Sequence, residues 1–78
     1  MVEQAEQMLL NLGFHQVRVR VHGQIARIEI LQSEFAKILQ NEVLEQINGY
    51  FHELGLLYVT LYLNGYQTGS MNKMLEQI

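Results

Sequence analysis

Cysteine, proline and tryptophan are absent from these 78 residues. Without cysteine the chain can form no disulfide, no thiolate metal site and no cysteine nucleophile. Because no proline-rich, low-complexity or linker-like run divides the sequence, we expect a single domain over residues 1–78. Basic residues are also few, since five Lys and Arg against eight Asp and Glu give a formal net charge of −3. That balance argues against broad nucleic-acid binding, so any attraction for anions has to be local.

Long apolar runs are missing as well. No stretch approaches the roughly 20 apolar residues that cross a bilayer. The opening MVEQAEQ has no basic region followed by an apolar run, so we expect no secretory signal. The lack of cysteine fits a reducing compartment at least as well as an exported chain. We therefore expect a cytoplasmic protein with no membrane partner.

Two stretches have the apolar spacing of amphipathic helices. The first covers residues 2–12, and Gly13 is expected to end it. The second is predicted as one long helix that Ser33 caps and Gly55 ends, with Gly49 inside it. Either a close helix–sheet contact or a local bend would explain Gly49, because glycine weakens a helix interior. The predicted buried stripe of the second helix is Phe35, Ile38, Leu39, Val43, Ile47, Tyr50, Phe51 and Leu54.

Three further stretches alternate apolar and polar residues, as half-buried strands do. The first two are expected to form a hairpin with a tight turn at His22 and Gly23. The predicted inward residues of the three strands are Val17, Val19 and Val21; Ala26, Ile28 and Ile30; and Leu57, Val59, Leu61 and Leu63. The order α-β-β-α-β predicts an α+β fold, a small two-layer sandwich with both helices on one face of a three-stranded sheet. The sequence leaves open whether the third strand lies beside the second or the first.

The opposite, open face of the sheet would carry three arginines. A turn at residues 22 and 23 places Arg18 across from Arg27 and leaves Glu29 diagonal to Arg18, with Arg20 on the same side. Like charges across a strand pair destabilise it unless something neutralises them. The arginine stems could simply extend into water beside Glu29. Alternatively, their guanidinium groups could bind an anion, because they match phosphate and carboxylate in two-point contacts. The face would also include Tyr58, Thr60 and Tyr62.

Other motifs indicate no further site. The three histidines lack metal-ligand spacing, so we expect no zinc site, and no nucleophile elbow or nucleotide-binding glycine pattern occurs. Near the C-terminus, Gly65, Gly69 and Ser70 could present backbone N–H groups to an anion or form an ordinary turn. Met71 and Met74 are predicted to pack as a helical pair.

Two separated motifs carry a resemblance to a known family. The motifs GFxxVRVRxHGxxARIE and YVTLxLxGYxxGSMN, within residues 2–75, resemble the C-terminal domain of the ATP-dependent sacrificial sulfur transferases. These PP-loop enzymes help to build the nickel-pincer nucleotide cofactor. They adenylylate a carboxylate of a pyridinium biscarboxylic acid mononucleotide and replace the adenylate with sulfur, taken from one of their own cysteines.

The resemblance implies a substrate-binding and assembly domain. In the family, a glutamate on the first helix and two arginines on the next strand approach a phosphate-rich site, and by motif position these are Glu6, Arg18 and Arg20. Arg27 joins this set from the strand-facing argument. The resemblance also implies an N-terminal PP-loop ATP-binding domain as partner, homo-oligomer assembly, and ATP and Mg as cofactors of the full-length enzyme.

The chain also departs from the family. It has no SGGxDS loop and no cysteine, so we expect no catalysis from these residues alone. Tyr62, Asn64 and Gln67 stand where relatives usually carry an acid, a glutamate and an arginine. A pure interaction module is the alternative function. A binder of single-stranded RNA, with Tyr58 and Tyr62 stacking on bases, is disfavoured by the acidic net charge and by the lack of an RNA-binding aromatic motif.

Overall fold

A computed structural model of the chain describes residues 1–67. The elements in that range are α1 (Val2–Asn11), β1 (Val17–His22), β2 (Ile25–Ile30), a 3₁₀ turn (Gln32–Glu34), α2 (Phe35–Ile38), α3 (Asn41–Glu53) and β3 (Tyr58–Leu61). The predicted α+β class and the α-β-β-α-β order are confirmed. No helix within these residues has the length and apolar character to span a membrane.

The three strands form one mixed sheet with β2 at its centre. Their order is β1-β2-β3, with β1 antiparallel and β3 parallel to β2. The third strand therefore lies beside the second, which the sequence had left open. Parallel neighbours need a crossover connection, and here the residues of α2 and α3 provide it.

The hairpin register differs from the predicted one by two residues. His22 pairs with Ile25, so the turn consists of Gly23 and Gln24 rather than His22 and Gly23. Gly23 has φ +61° at the first central position, where a type II′ turn favours glycine. The predicted pairing of Arg18 with Arg27 is wrong, because Arg18 pairs with Glu29 and Arg20 pairs with Arg27. A shift of two residues keeps every side chain on its predicted face.

The helices pack on one face of the sheet and enclose the core with it. Ala5 and Leu9 of α1 and Phe51 of α3 are fully buried there. The buried core residues are Ala5, Leu9, Phe14, Val19, Ala26, Ile28, Ile30, Ile38, Ile47, Phe51 and Leu56. Because β1 and β2 contribute only alternate residues to this core, the other residues of these strands face away from the helices.

The second helical segment is not one long helix. It comprises the 3₁₀ turn, α2 and α3, and the chain leaves helical geometry at Gln40, whose ψ is 140°. Ser33 lies inside the 3₁₀ turn and caps no helix, so the predicted cap is wrong. Leu39, predicted in the buried stripe, is 56% exposed at this break. Gly49 lies on an open surface with nothing within 4 Å of an added Cβ, so a close contact with the sheet does not explain it.

The helix ends at Gly13 and Gly55 follow the prediction, with φ +101° and +94° at these residues. The third strand is shorter than predicted and ends at Leu61. Its inward residues Val59 and Leu61 are half-buried against the core. Leu57 and Leu63 are 51% and 73% exposed, so their predicted inward positions are wrong.

Candidate functional site

The candidate site is the sheet face opposite the helices, called here the outer face. It consists of the outward residues of the three strands together with two tyrosines that follow β3: Arg18, Arg20, His22, Ile25, Arg27, Glu29, Tyr58, Thr60, Tyr62 and Tyr66. Arg18 and Arg20 occupy alternate positions of β1, on either side of the buried Val19. The structure therefore places both arginines on one surface, away from the apolar core.

Glu29 lies at the centre of the outer face and is only 8% exposed. Its Oε2 is 3.2 Å from Arg27 Nε and 3.6 Å from Arg20 Nε. The guanidinium of Arg27 is not aligned for a hydrogen bond at that distance, and its Nε is buried without a hydrogen-bond partner. Both contacts are thus ion pairs that neutralise part of the arginine charge from within the chain.

Two tyrosines stack against the arginines. The Arg27 guanidinium lies 5.2 Å from the centre of the Tyr62 ring, and that of Arg18 lies 5.7 Å from the centre of the Tyr66 ring. Contacts of this kind stabilise a cation by about 0.5–1 kcal/mol at exposed sites. They also restrict the orientation of each guanidinium plane, which prepares it for two-point recognition of an anion.

The segment after β3 places these tyrosines by continuing along β2. Tyr62 N–H donates to Ile28 O at 2.8 Å, and Tyr66 N–H donates to Ile30 O at 2.6 Å. Since Arg18 pairs with Glu29 from the opposite side of β2, the contact between Arg18 and Tyr66 crosses the outer face near Glu29. The sequence analysis placed Tyr62 on this face but missed Tyr66.

The outer face is locally cationic in an acidic protein. Arg18, Arg20 and Arg27 outnumber Glu29, so the face has two more positive than negative charges. Within residues 1–67, Arg18 has no carboxylate within 4.0 Å. This arrangement can attract an anion of one or two charges, which the overall net charge of −3 alone would not suggest.

Glu6 lies beside β1 rather than against a guanidinium. Its Oε2 accepts the Val19 N–H at 2.9 Å. In the antiparallel pair of β1 and β2, Val19 and Ile28 face each other at a position without backbone hydrogen bonds between them. The Val19 N–H therefore points away from β2, toward the free edge of the sheet. Glu6 therefore joins α1 to the strand segment between Arg18 and Arg20, and no ion pair connects it to either arginine within the described residues.

The remaining polar candidates lie elsewhere. His15 contacts Glu34, with 2.7 Å between Nδ1 and Oε2, and His52 Nε2 lies 3.1 Å from Leu57 O. Among residues 1–67, no three His, Cys, Asp or Glu side chains cluster as metal ligands would. The predictions for Gly69, Ser70, Met71 and Met74 lie outside the described residues.

An apolar groove lies on the helix side, between α2, α3 and the free edge of β3. Its volume is about 280 Å³, and Ile38, Leu44 and Leu61 contribute to its lining. The one ionisable group that lines it is Glu45, which would repel an anion. The groove and the outer face are therefore chemically distinct surfaces.

The fold and its outer face define the class of protein: a small α+β domain with a cationic sheet face that carries several tyrosines. No protein-family model matches the chain. Over 76 residues it is 42% identical to slr1717, an uncharacterized protein of Synechocystis, and the match covers 97% of this chain and 28% of that protein. Over 73 residues it is 42% identical to the pyridinium-3,5-bisthiocarboxylic acid mononucleotide synthase of Lactiplantibacillus plantarum, covering 94% of this chain and 26% of the synthase.

The chain thus spans about a quarter of the length of these curated relatives. It is a partial homologue of the synthase over that part of its length. The resemblance drawn from the two sequence motifs is supported to that extent.

Proposed function

We propose that this domain binds the phosphate of a pyridinium biscarboxylic acid mononucleotide as the substrate-binding and assembly part of an ATP-dependent sulfur transferase. Arg18 and Arg20 would hold the phosphate, Arg27 would add positive charge, and Glu6 would fix the strand that carries the first two. The arginines on one surface of the sheet are the observation that carries this proposal. The relative from Lactiplantibacillus plantarum is a pyridinium-3,5-bisthiocarboxylic acid mononucleotide synthase, and this supports the class of ligand.

The chemistry of the outer face suits a phosphate group. Arginine presents a planar set of donors, and charge-assisted hydrogen bonds to phosphate are roughly twice as strong as neutral ones. Two arginines at alternate positions of one strand project in the same direction, so both can reach one phosphate. The face is open to water on one side, which fits a site that a neighbouring domain or subunit completes.

The chain itself would not perform the chemistry. It lacks cysteine and any ATP-pyrophosphatase loop, so the adenylylation, the sulfur donor, ATP and Mg belong to other parts of the enzyme under this proposal. The domain's own residues would bind and orient the nucleotide. Homo-oligomer formation would bring that site to an ATP-binding domain.

An NMR titration tests the binding. We expect nicotinic acid mononucleotide to shift the amide signals of residues 18–20 and 27–29 in the 15N-labelled chain. Arg18→Ala with Arg20→Ala should abolish these shifts while the remaining spectrum stays folded. The matched control, Arg18→Lys with Arg20→Lys, keeps the charge but removes the planar donors, so it should bind more weakly than the wild type and more strongly than the alanine variant. Unchanged shifts in the alanine variant would contradict the proposal.

A second candidate is an interaction module without ligand. Leu39, Leu57, Tyr58 and Leu63 are each more than half exposed. Exposed apolar residues mark a contact surface when they form one contiguous patch. The response to the mononucleotide distinguishes the two functions: this module would gain mass with protein concentration in sedimentation but show no response to the mononucleotide.

A further inference from the structure

Phosphate binding alone does not explain why the Glu29 carboxylate is buried. A carboxylate seldom lies buried unless it is paired, because loss of water costs it free energy. Glu29 is nevertheless the only charged residue within residues 1–67 that is buried, and it lies on the sheet face opposite the core. An exposed glutamate at the rim would neutralise charge equally well. Its burial indicates a positional role.

The contacts of Glu29 involve one end of each arginine. For both Arg20 and Arg27 the atom nearest to Glu29 Oε2 is Nε, at 3.6 Å and 3.2 Å. A guanidinium also carries two terminal amino groups, which form a separate pair of donors. These terminal groups lie farther from the carboxylate than Nε does. The side chains of Arg20 and Arg27 remain 46% and 40% exposed.

We propose that Glu29 is a positioning residue that holds Arg20 and Arg27 by their Nε ends and leaves their terminal amino groups to the ligand phosphate. This inference rests on the proposed function and deepens it. Glu29 does not touch the ligand; it fixes two guanidinium groups that belong to opposite strands and would otherwise repel each other across the Arg20 and Arg27 pair. Preorganised donors bind more tightly because less conformational entropy is lost on binding.

Simple electrostatics makes the opposite prediction for one variant. Glu29→Gln removes a negative charge from a cationic site, so Coulomb attraction alone predicts tighter phosphate binding. Positioning predicts weaker binding, because the arginines lose the group that holds them. We expect the dissociation constant of nicotinic acid mononucleotide to rise by about tenfold, because two guanidinium groups that are no longer held by an ion pair have to be ordered on binding. Tighter or unchanged binding would overturn the proposal.

Glu29→Asp separates position from charge. It keeps the net charge but shortens the side chain by one methylene, so the carboxylate cannot reach both Nε atoms. We expect weaker binding here too, whereas unchanged affinity would overturn the positioning role. Each variant is compared with Glu53→Gln, which alters an exposed glutamate at the end of α3.

A measurement without ligand separates this inference from the proposed function. In the 15N spectrum of the free protein, the Nε–H signal of Arg27, whose Nε is buried, should exchange slowly with water, and Glu29→Gln should make it exchange faster. The Nε–H signal of Arg18 serves as the internal reference, because no side-chain nitrogen of Arg18 lies within 4.0 Å of the Glu29 carboxylate. If the two signals respond alike, the positioning role is wrong. If they respond as expected but the wild type binds no mononucleotide, only the proposed function fails.

Discussion

At the scale of single residues, Gly65 determines how the chain brings Tyr66 to Arg18. Gly65 is buried, has φ +81°, and a Cβ added there would lie 2.9 Å from both Ile30 O and Gln32 Cγ. Residues other than glycine rarely adopt this backbone conformation. The carbonyl of Ile30 is also held in place, because it accepts a hydrogen bond from the Tyr66 N–H. Gly65 thus allows the segment after β3 to remain packed against the sheet.

Gly65→Ala should therefore release this segment. We expect a loss of about 1–3 kcal/mol in the stability of the segment, measured as faster hydrogen exchange of the Tyr66 amide. Gly49→Ala is the matched control, because nothing lies within 4 Å of its added Cβ and it is in the interior of α3. That variant should raise the free energy of unfolding by about 0.5–1 kcal/mol. Equal effects of the two substitutions would contradict this account.

At the scale of elements, Glu6 connects the first helix to the first strand. Its carboxylate satisfies an N–H on the free edge of β1, where unpaired backbone groups invite pairing with other chains. The family resemblance assigned Glu6 to the ligand site, and the structure offers a structural role beside that one. Only the structural role predicts that loss of the Glu6 carboxylate changes the protein in the absence of ligand.

Glu6→Ala should speed hydrogen exchange at the Val19 amide even without ligand. We expect the free energy of unfolding to fall by about 1–3 kcal/mol, since a charge-assisted hydrogen bond is lost. Glu3→Ala is the control, because Glu3 is exposed in the same helix and makes no side-chain hydrogen bond among the described residues. If Val19 exchange is unaltered in Glu6→Ala, Glu6 has no such structural role.

Glu34 connects two other elements, the loop after α1 and the 3₁₀ turn. Burial raises the pKa of its carboxyl, but the contacts with the His15 side chain and backbone N–H outweigh burial and, with Lys37, lower the pKa below the ordinary 4.5. A pKa lowered in the folded state contributes stability above the unfolded value and loses it as pH falls through the folded value. This contribution is therefore complete above pH 4.5 and declines below it.

Urea unfolding at several pH values tests this linkage. We expect the wild type to lose stability relative to Glu34→Gln as the pH falls below 4.5, because glutamine cannot titrate. Glu53 makes no side-chain hydrogen bond within residues 1–67, so Glu53→Gln should leave the pH dependence of stability nearly unchanged. A constant difference between wild type and Glu34→Gln across this range would contradict the assignment.

For the two strands of the hairpin, the sequence predicted which residues face the core, but it did not predict which residues touch. Alternating Val17, Val19 and Val21 fixes the faces, yet registers two residues apart preserve that alternation equally well. The turn at Gly23 and Gln24 therefore could not be told from one at His22 and Gly23. As a result, the contact of Glu29 with Arg20 and Arg27 was not predicted.

Two other differences have similar causes. The apolar stripe runs through Leu39 without a glycine or proline to mark the break between α2 and α3, so periodicity predicted one helix. Tyr66 reaches the outer face because of the backbone turn at Gly65, which depends on contacts with Ile30 that are distant in sequence. Local patterns contain no information about such contacts.

At the scale of the whole molecule, an acidic chain carries a cationic surface on its outer face. The net charge is −3, while the outer face has an excess of arginine over glutamate. Charged ligands are attracted by the local field within about one Debye length, roughly 8 Å at physiological salt. Anion binding by this domain should therefore be selective rather than general.

The most direct test compares the affinities for nicotinic acid mononucleotide and for the corresponding nucleoside, which lacks the phosphate. At fixed ionic strength, we expect the mononucleotide to bind at least about tenfold more tightly to the wild type, because the phosphate engages Arg18 and Arg20. In Arg18→Ala with Arg20→Ala the difference should become much smaller, because only Arg27 remains to contact the phosphate. Equal affinities in the wild type, or an undiminished difference in the double variant, would contradict this role of the two arginines.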